Sequence, residues 1–322
     1  MTGPSSASPP APRPRLVWWH AAVILLACII IFFVGLSWRS FASSEGHRVG
    51  PAWEMLDRGD PWRITLFGQT YFRKPPGMPW AIAAASSWLG RDEFAARSVS
   101  ALASTLAALA CWFFASRWFG PRLGLAAGLA LATMPQLWSP GRTAEIEALN
   151  NFGTLLAALA IIDRILAMTR RPAIAPTPPA ETAAEPAVAG RIGPATDPLA
   201  PLAPLRPRGV PAALDHVAVL SLGAAGIVIA ALAKGPASVP VLAGVLLAAL
   251  VMRLWAIRSI ITTAAMLALA AAVLVPLARR IYAANDDPAA VTQGADAFLW
   301  SKGVPGALLL IPMALVSALP AS

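Results

Sequence analysis

A chain of 322 residues that is 57% hydrophobic and 13% charged has too little polar surface to cover a soluble fold, since soluble domains carry about 25% charged residues. The mean hydropathy of +0.64 and the two lone cysteines, Cys28 and Cys111, exclude a soluble enzyme, a disordered protein and a disulfide scaffold. An all-α integral membrane bundle remains, and its net charge of +9 reads as Lys and Arg at helix ends against anionic lipid, with no implication of nucleic acid.

Residues 1–15 are rich in Pro and Ser and read as a disordered cytoplasmic N-terminus. The apolar run Leu16–Leu36 is longer than a signal-peptide core of about 7–15 residues, so an uncleaved span is expected despite the small-x-small form of Ser40-Phe41-Ala42. Further runs at 98–116, 123–139, 148–168, 217–233, 236–252, 259–278 and 304–320 bring the expected total to eight spans. Residues 77–90 are apolar but too short to cross and read as an interfacial or re-entrant helix. Eleven prolines in residues 172–212 mark an extended linker without a core. It separates a first transmembrane part, 16–171, from a second, 213–322, which stops at Pro320-Ala321-Ser322 as an apolar run ends, so a partial chain is expected.

Arg117 with Arg122, and Arg253 with Arg258, fall in short connections that the positive-inside rule puts in the cytoplasm. The N-terminus and the linker then lie inside, and 37–97, 140–147 and 279–303 lie outside. The expected membrane is a bacterial inner membrane, with the site on its periplasmic face. The outer loop 37–97 nevertheless carries eight Lys and Arg, which calls for an anionic ligand such as a lipid phosphate. Within it Val49, Ala52, Trp53 and Leu56 share one helical face, with Pro51 placed in the first turn, and predict a helix lying on the bilayer. This sets Glu45, His47 and Arg48 at headgroup depth.

Tyr71-Phe72-Arg73-Lys74-Pro75-Pro76 fixes a lysine before two prolines, as a point charge for a phosphate. Arg142, Glu145, Glu147, Asn150 and Asn151 join the third and fourth spans. Glu145 and Glu147 are two apart, so on one helix at most one of them lines a site. Ala233-Lys234-Gly235-Pro236 places a cation between two apolar runs. All four features fall on one side of the membrane.

In this order the motifs resemble the polytopic GT-C glycosyltransferases of the protein-O-mannosyltransferase and lipid A aminoarabinose-transferase type. The resemblance rests on Ser44-Glu45-Gly46-His47-Arg48 with Met55-Leu56 and Gly59-Asp60, and on Lys74-Pro75-Pro76 with Trp80. Arg97, Phe119-Gly120-Pro121-Arg122, Arg142 with Glu147, and Lys234-Gly235-Pro236 complete it. Ser44 stands where the family commonly has an Asp taken as catalytic, Glu147 where Asp is common, and Arg73 where a relative carries an acid able to hold a metal.

The resemblance implies transfer of a sugar from a polyprenyl-phosphate donor to a lipid, glycan or protein acceptor at the outer face. Glu45 and Glu147 are the expected catalytic carboxylates, Glu45 as base and Glu147 in substrate positioning. Lys74, Arg142, Lys234 and Arg48 are the expected phosphate-binding cations, and Ser44, His47, Tyr71 and Arg73 the expected substrate contacts. The resemblance fixes no cofactor and leaves room for a divalent metal, for which His47, Glu45 and Glu147 are the sparse ligand set. Two other classes compete: a non-catalytic homologue, favoured by Ser44, and a lipid flippase, disfavoured because the charges cluster at one surface.

Overall fold

The computed structural model describes residues 17–42, 44–168, 211–251 and 257–285. The N-terminal tail, nearly all of the Pro-rich linker and the run 304–320 lie outside the described residues. Ten α-helices and one short hairpin make up the described fold. Helix α1 (Trp18–Cys28) passes into a π-helical turn, Ile29–Phe33. Helix α2 (Gly46–Arg58), strands β1 (Thr65–Leu66) and β2 (Gln69–Thr70), and helix α3 (Gly77–Leu89) occupy the first large loop. Then come α4 (Glu93–Phe119), α5 (Pro121–Thr133), α6 (Pro135–Trp138), α7 (Ile146–Met168), α8 (Ala212–Lys234), α9 (Val239–Val251) and α10 (Ile257–Ala284).

Among the described residues four helices are long and apolar enough to cross a membrane: Glu93–Phe119, Ile146–Ala167, Ala212–Lys234 and Ile260–Ile281. Trp18–Phe33 and Val239–Val251 are apolar but shorter. Seven of the eight apolar runs read from the sequence thus coincide with helices, and the eighth lies outside the described residues. The run 123–139 is broken by Pro135, which cannot continue α5, so the chain turns there into the single turn of α6.

Helix α4 is the hub of the bundle. Its buried side chains Ser100, Ala101, Ala103, Ser104, Ala107 and Ala108 are small, which lets neighbouring helices approach closely. On one flank Trp112 packs with Ile24 and Phe32 of the first span; on the other Phe114 and Trp118 pack with Leu156 and Ile161 of α7, Val219 of α8 and Met266 of α10. Gly120, at φ 94, allows the abrupt turn into α5, a backbone conformation that costs a side-chain-bearing residue free energy.

Helices α7 and α8 meet backbone to backbone. A Cβ on Gly153 would lie 2.6 Å from the Ala230 nitrogen, and one on Gly226 would lie 2.6 Å from the Ala157 nitrogen. Backbone cannot swing aside as a flexible side chain can, so Gly226→Val should destabilise the bundle by at least the about 1–3 kcal/mol typical of overpacking. The midpoint of unfolding by SDS measures it; an unchanged midpoint would mean the helices separate without loss.

One expectation for the first loop changes. Helix α2 starts at Gly46, so Pro51 sits inside it rather than in its first turn. Its apolar face, Val49, Ala52 and Met55, is buried against protein: Val49 and Ala52 pack with Met78 and Ile82 of α3 and Ala96 of α4, and Met55 packs with Ile64 and Ile281. The periodicity identified the helix, and its most buried residues pack on α3 and α4. The loop's exposed charges pair locally, Arg91 with Asp57 at 2.5 Å and Arg58 with Glu54 at 3.6 Å.

Candidate active site

The four sequence features meet at one end of the bundle. Glu45 immediately precedes α2 and is 1% exposed. Arg97, in the second turn of α4, reaches it through a two-pronged ion pair, Nε to Oε1 at 2.8 Å and Nη2 to Oε2 at 2.9 Å. The backbone amides of Ala144 and Ala42 donate to the same two oxygens at 2.8 and 2.9 Å. The rest of the guanidinium donates to the carbonyls of Leu36, Arg39 and Ser40 at 2.6 to 3.0 Å. The clamp therefore joins the end of the first span, the start of α2, α4 and the turn before α7.

Burial pushes the Glu45 carboxyl up, but the Arg97 ion pair and the two amides more than offset this and hold it below its ordinary range. A buried carboxylate with four donors on its two oxygens, kept ionised by an arginine, is poorly placed to collect a proton. These four donors weigh against the expectation of Glu45 as general base.

Beside the clamp lies a second carboxylate. Glu145 occupies the turn between the 3₁₀ segment Pro140–Arg142 and α7, which begins only at Ile146. The Ser44 hydroxyl donates to Glu145 Oε1, and Arg48 Nε lies 3.8 Å from Oε2. Ser100 donates from α4 to the Glu145 main-chain carbonyl at 3.3 Å. Glu145 thus precedes α7 and does not share that helix with Glu147.

Glu147, in the first turn of α7, pairs with Lys234 at the end of α8, Oε1 to Nζ 3.2 Å, and both side chains are partly exposed. A Cβ on Gly77 would lie 2.5 Å from the Leu232 carbonyl, so the start of α3, just after Lys74-Pro75-Pro76, abuts the end of α8 beside Lys234. Lys74 is half-buried and Arg73 is exposed. The His47 and Tyr71 rings stack with centroids 6.2 Å apart. Arg142, expected on the donor phosphate, instead donates to the carbonyls of Ile31 at 2.6 Å and Val34 at 2.7 Å. These are acceptors that the end of the first helix leaves without intrahelical partners, so Arg142 acts as a cap.

Among the described residues no three of His, Cys, Asp or Glu converge as a metal site. Glu45, Glu147 and His47, the set considered for a divalent ion, face Arg97, Lys234 and Tyr71 respectively. On the outside of the loop an apolar groove of about 320 Å³ runs between α2 and α3, lined by Leu56, Pro61, Trp62, Trp80 and Ala83.

Residues 73–172 match the family model described as dolichyl-phosphate-mannose-protein mannosyltransferase. Two crystal structures of ArnT from Cupriavidus metallidurans superpose on the chain. The form bound to undecaprenyl phosphate does so with a TM-score of 0.66 at 19% identity, covering 88% of this chain and 45% of that one. The chain shares its fold with the part of ArnT that it matches. The apo form of ArnT gives a TM-score of 0.63 at 19% identity, covering 83% of this chain and 42% of that one. This chain therefore spans less than half the length of the ArnT structures it matches. No curated protein matches the sequence. The resemblance read from Lys74-Pro75-Pro76, Arg97, Phe119-Gly120-Pro121-Arg122 and Arg142 with Glu147 falls within the matched segment; Glu45 and Lys234 lie outside it.

Proposed function

We propose that this protein is a membrane glycosyltransferase that moves a sugar from a polyprenyl-phosphate donor to a lipid, glycan or protein acceptor. The bundle spans the membrane about eight times, and the site faces the periplasm of a bacterial inner membrane. The observation that carries this reading is the fold shared with undecaprenyl-phosphate-bound ArnT over 88% of the chain. It is supported by the gathering of carboxylates and cations at one end of the bundle.

In this reading Lys74 and Lys234 meet the donor phosphate and stabilise the negative charge that grows as the sugar departs. Glu147 holds Lys234 in place until the donor arrives. Arg48 orders the neighbouring carboxylate, and His47 with Tyr71 forms an aromatic wall suited to a sugar face. The test is transfer of radiolabel from undecaprenyl-phosphate-linked mannose or 4-aminoarabinose to bacterial membrane lipids, glycans and proteins, using the full-length protein in lipid nanodiscs. Lys74→Ala should raise the donor KM and lower turnover strongly, whereas Arg58→Ala, whose side chain bonds within its own loop, should leave both near wild type. Equal activity of Lys74→Ala and wild type would remove Lys74 from the site. A periplasm-active reporter fused after Gly190 should stay silent; a strong signal there would put the site on the cytoplasmic face.

A non-catalytic homologue is the second reading, favoured by Ser44 and by the saturation of Glu45. A wild-type protein inert toward every donor supports it.

A further inference from the structure

We propose that Glu145 is the general base of the transfer reaction, an assignment that rests on the glycosyltransferase reading above. Among the described residues three carboxylates converge on this end of the bundle from the clamp and the third connection, and their surroundings differ. Glu45 has four donors on its two oxygens and a side chain 2% exposed. Glu147 is tied to an ammonium that is itself partly exposed, an arrangement suited to positioning a cation. Glu145 has a side chain 17% exposed, one oxygen on a hydroxyl and the other 3.8 Å from a guanidinium nitrogen. Glu147 also keeps an oxygen without a hydrogen bond, but it is the more exposed of the two and its other oxygen is engaged by Lys234, whereas the second oxygen of Glu145 faces only the Arg48 guanidinium at 3.8 Å.

Its surroundings fix it in place. The amide of Ala144 is held by Glu45, and the Glu145 carbonyl by Ser100, so the backbone on both sides of the carboxylate is pinned to the clamp and to α4. Ser44, next in sequence to Glu45, holds Oε1. Arg48 is 7% exposed, and its Nε has no hydrogen-bond partner. That nitrogen faces Oε2 at ion-pair distance. The pinned backbone, the hydroxyl and the arginine together preorganise a carboxylate for catalysis.

In the step assigned to it, the acceptor hydroxyl attacks the anomeric carbon and its proton passes to Glu145. The new bond joins the acceptor oxygen to that carbon. The bond from the anomeric carbon to the phosphate oxygen breaks, and its electron pair leaves with the polyprenyl phosphate. No redox partner is needed, and the proton returns to water after product release. The carboxylate expected at position 44 is thus supplied in space by position 145, one hydrogen bond away.

The experiment compares wild type, Glu145→Gln, Glu145→Asp and the double variant Ser44→Asp/Glu145→Gln in nanodiscs, with radiolabelled undecaprenyl-phosphate-linked mannose and 4-aminoarabinose as donors. Glu145→Gln should lower kcat at least about a hundredfold with little change in donor KM, the lower end of what a general base contributes. Glu145→Asp should retain a reduced rate and the acid limb of the pH–kcat profile. Ser44→Asp/Glu145→Gln should regain turnover, because a carboxylate returns within reach of the same point. Near-wild-type turnover of Glu145→Gln beside an active wild type overturns the assignment and leaves the transferase reading standing. A wild type inert toward both donors and all acceptors overturns both.

Discussion

Arg97→Met should destabilise the folded protein severely, the largest single effect expected at the site end of the molecule. Arg97 makes five hydrogen bonds, two to Glu45 and three to main-chain carbonyls, from a position 2% exposed. Removing it leaves a buried carboxylate without its counter-charge, and breaking a buried pair from one side costs about 3–5 kcal/mol. Arg97→Lys keeps the charge but loses the planar fork, so it should fall between. The midpoint of SDS unfolding in lipid micelles measures the order wild type, Arg97→Lys, Arg97→Met. A loss under about 1 kcal/mol, what an exposed pair contributes, would show that the clamp is not what joins these four segments.

The same clamp carries a pH dependence with a definite sign. The folded Glu45 carboxyl titrates below its ordinary 4.5. The stability it contributes is therefore fully present above that value and is lost as the pH falls from about 4.5 through the lowered folded pKa. Glu45→Gln should flatten this acid limb and lower the unfolding midpoint at neutral pH.

Helices were legible in the sequence wherever an apolar run was long. The helices at Glu93–Phe119, Ile146–Met168, Ala212–Lys234 and Ile257–Ala284 were all marked by such runs. The surface helix α2 was legible from its i, i+3, i+4, i+7 face, but periodicity tells that a face is apolar and not what covers it. Protein covers it here because Met78 and Ile82 of the short helix α3 present a matching face. The site was legible as a set of motifs and illegible as a set of partners. Glu45 and Arg97 are 52 positions apart, and no local pattern says that the glutamate's oxygens will be filled. Arg142 shows the same limit: a cation beside a membrane span reads as a phosphate ligand until the carbonyls of Ile31 and Val34 are found at its guanidinium. The resemblance singles out Glu147 beside Arg142, whereas the contact of Glu145 with Ser44 joins residues 101 positions apart and leaves no local pattern.

The opposite end of the bundle holds the second large expected effect. In the sequence Arg117 with Arg122 reads as an orientation signal in a short cytoplasmic loop, yet Arg117 is 2% exposed. Its guanidinium meets Asp163 of α7 at 2.8 Å and Asp215 of α8 at 2.7 Å. Trp118 Nε1 donates to Asp163 at 3.0 Å, and Arg164 pairs with both aspartates while its Nη1 lies 3.2 Å from His216 Nδ1. Two arginines balance two aspartates, so the network is neutral as a whole and tolerable only while complete. It ties together α4, α7 and α8 where the chain leaves α7 for the linker and returns into α8. Arg117→Ala would leave Asp163 and Asp215 buried with one cation between them, and should cost about 3–5 kcal/mol. Asp163→Asn in the Arg117→Ala background should recover part of that loss, because it removes the surplus negative charge. Arg122→Ala, a change at an exposed side chain in the first turn of α5, should do little. SDS-unfolding midpoints of these three proteins decide it. If Arg117→Ala and Arg122→Ala are equally mild, the buried network does not hold the three helices; if Arg117→Ala alone unfolds and Asp163→Asn restores, it does.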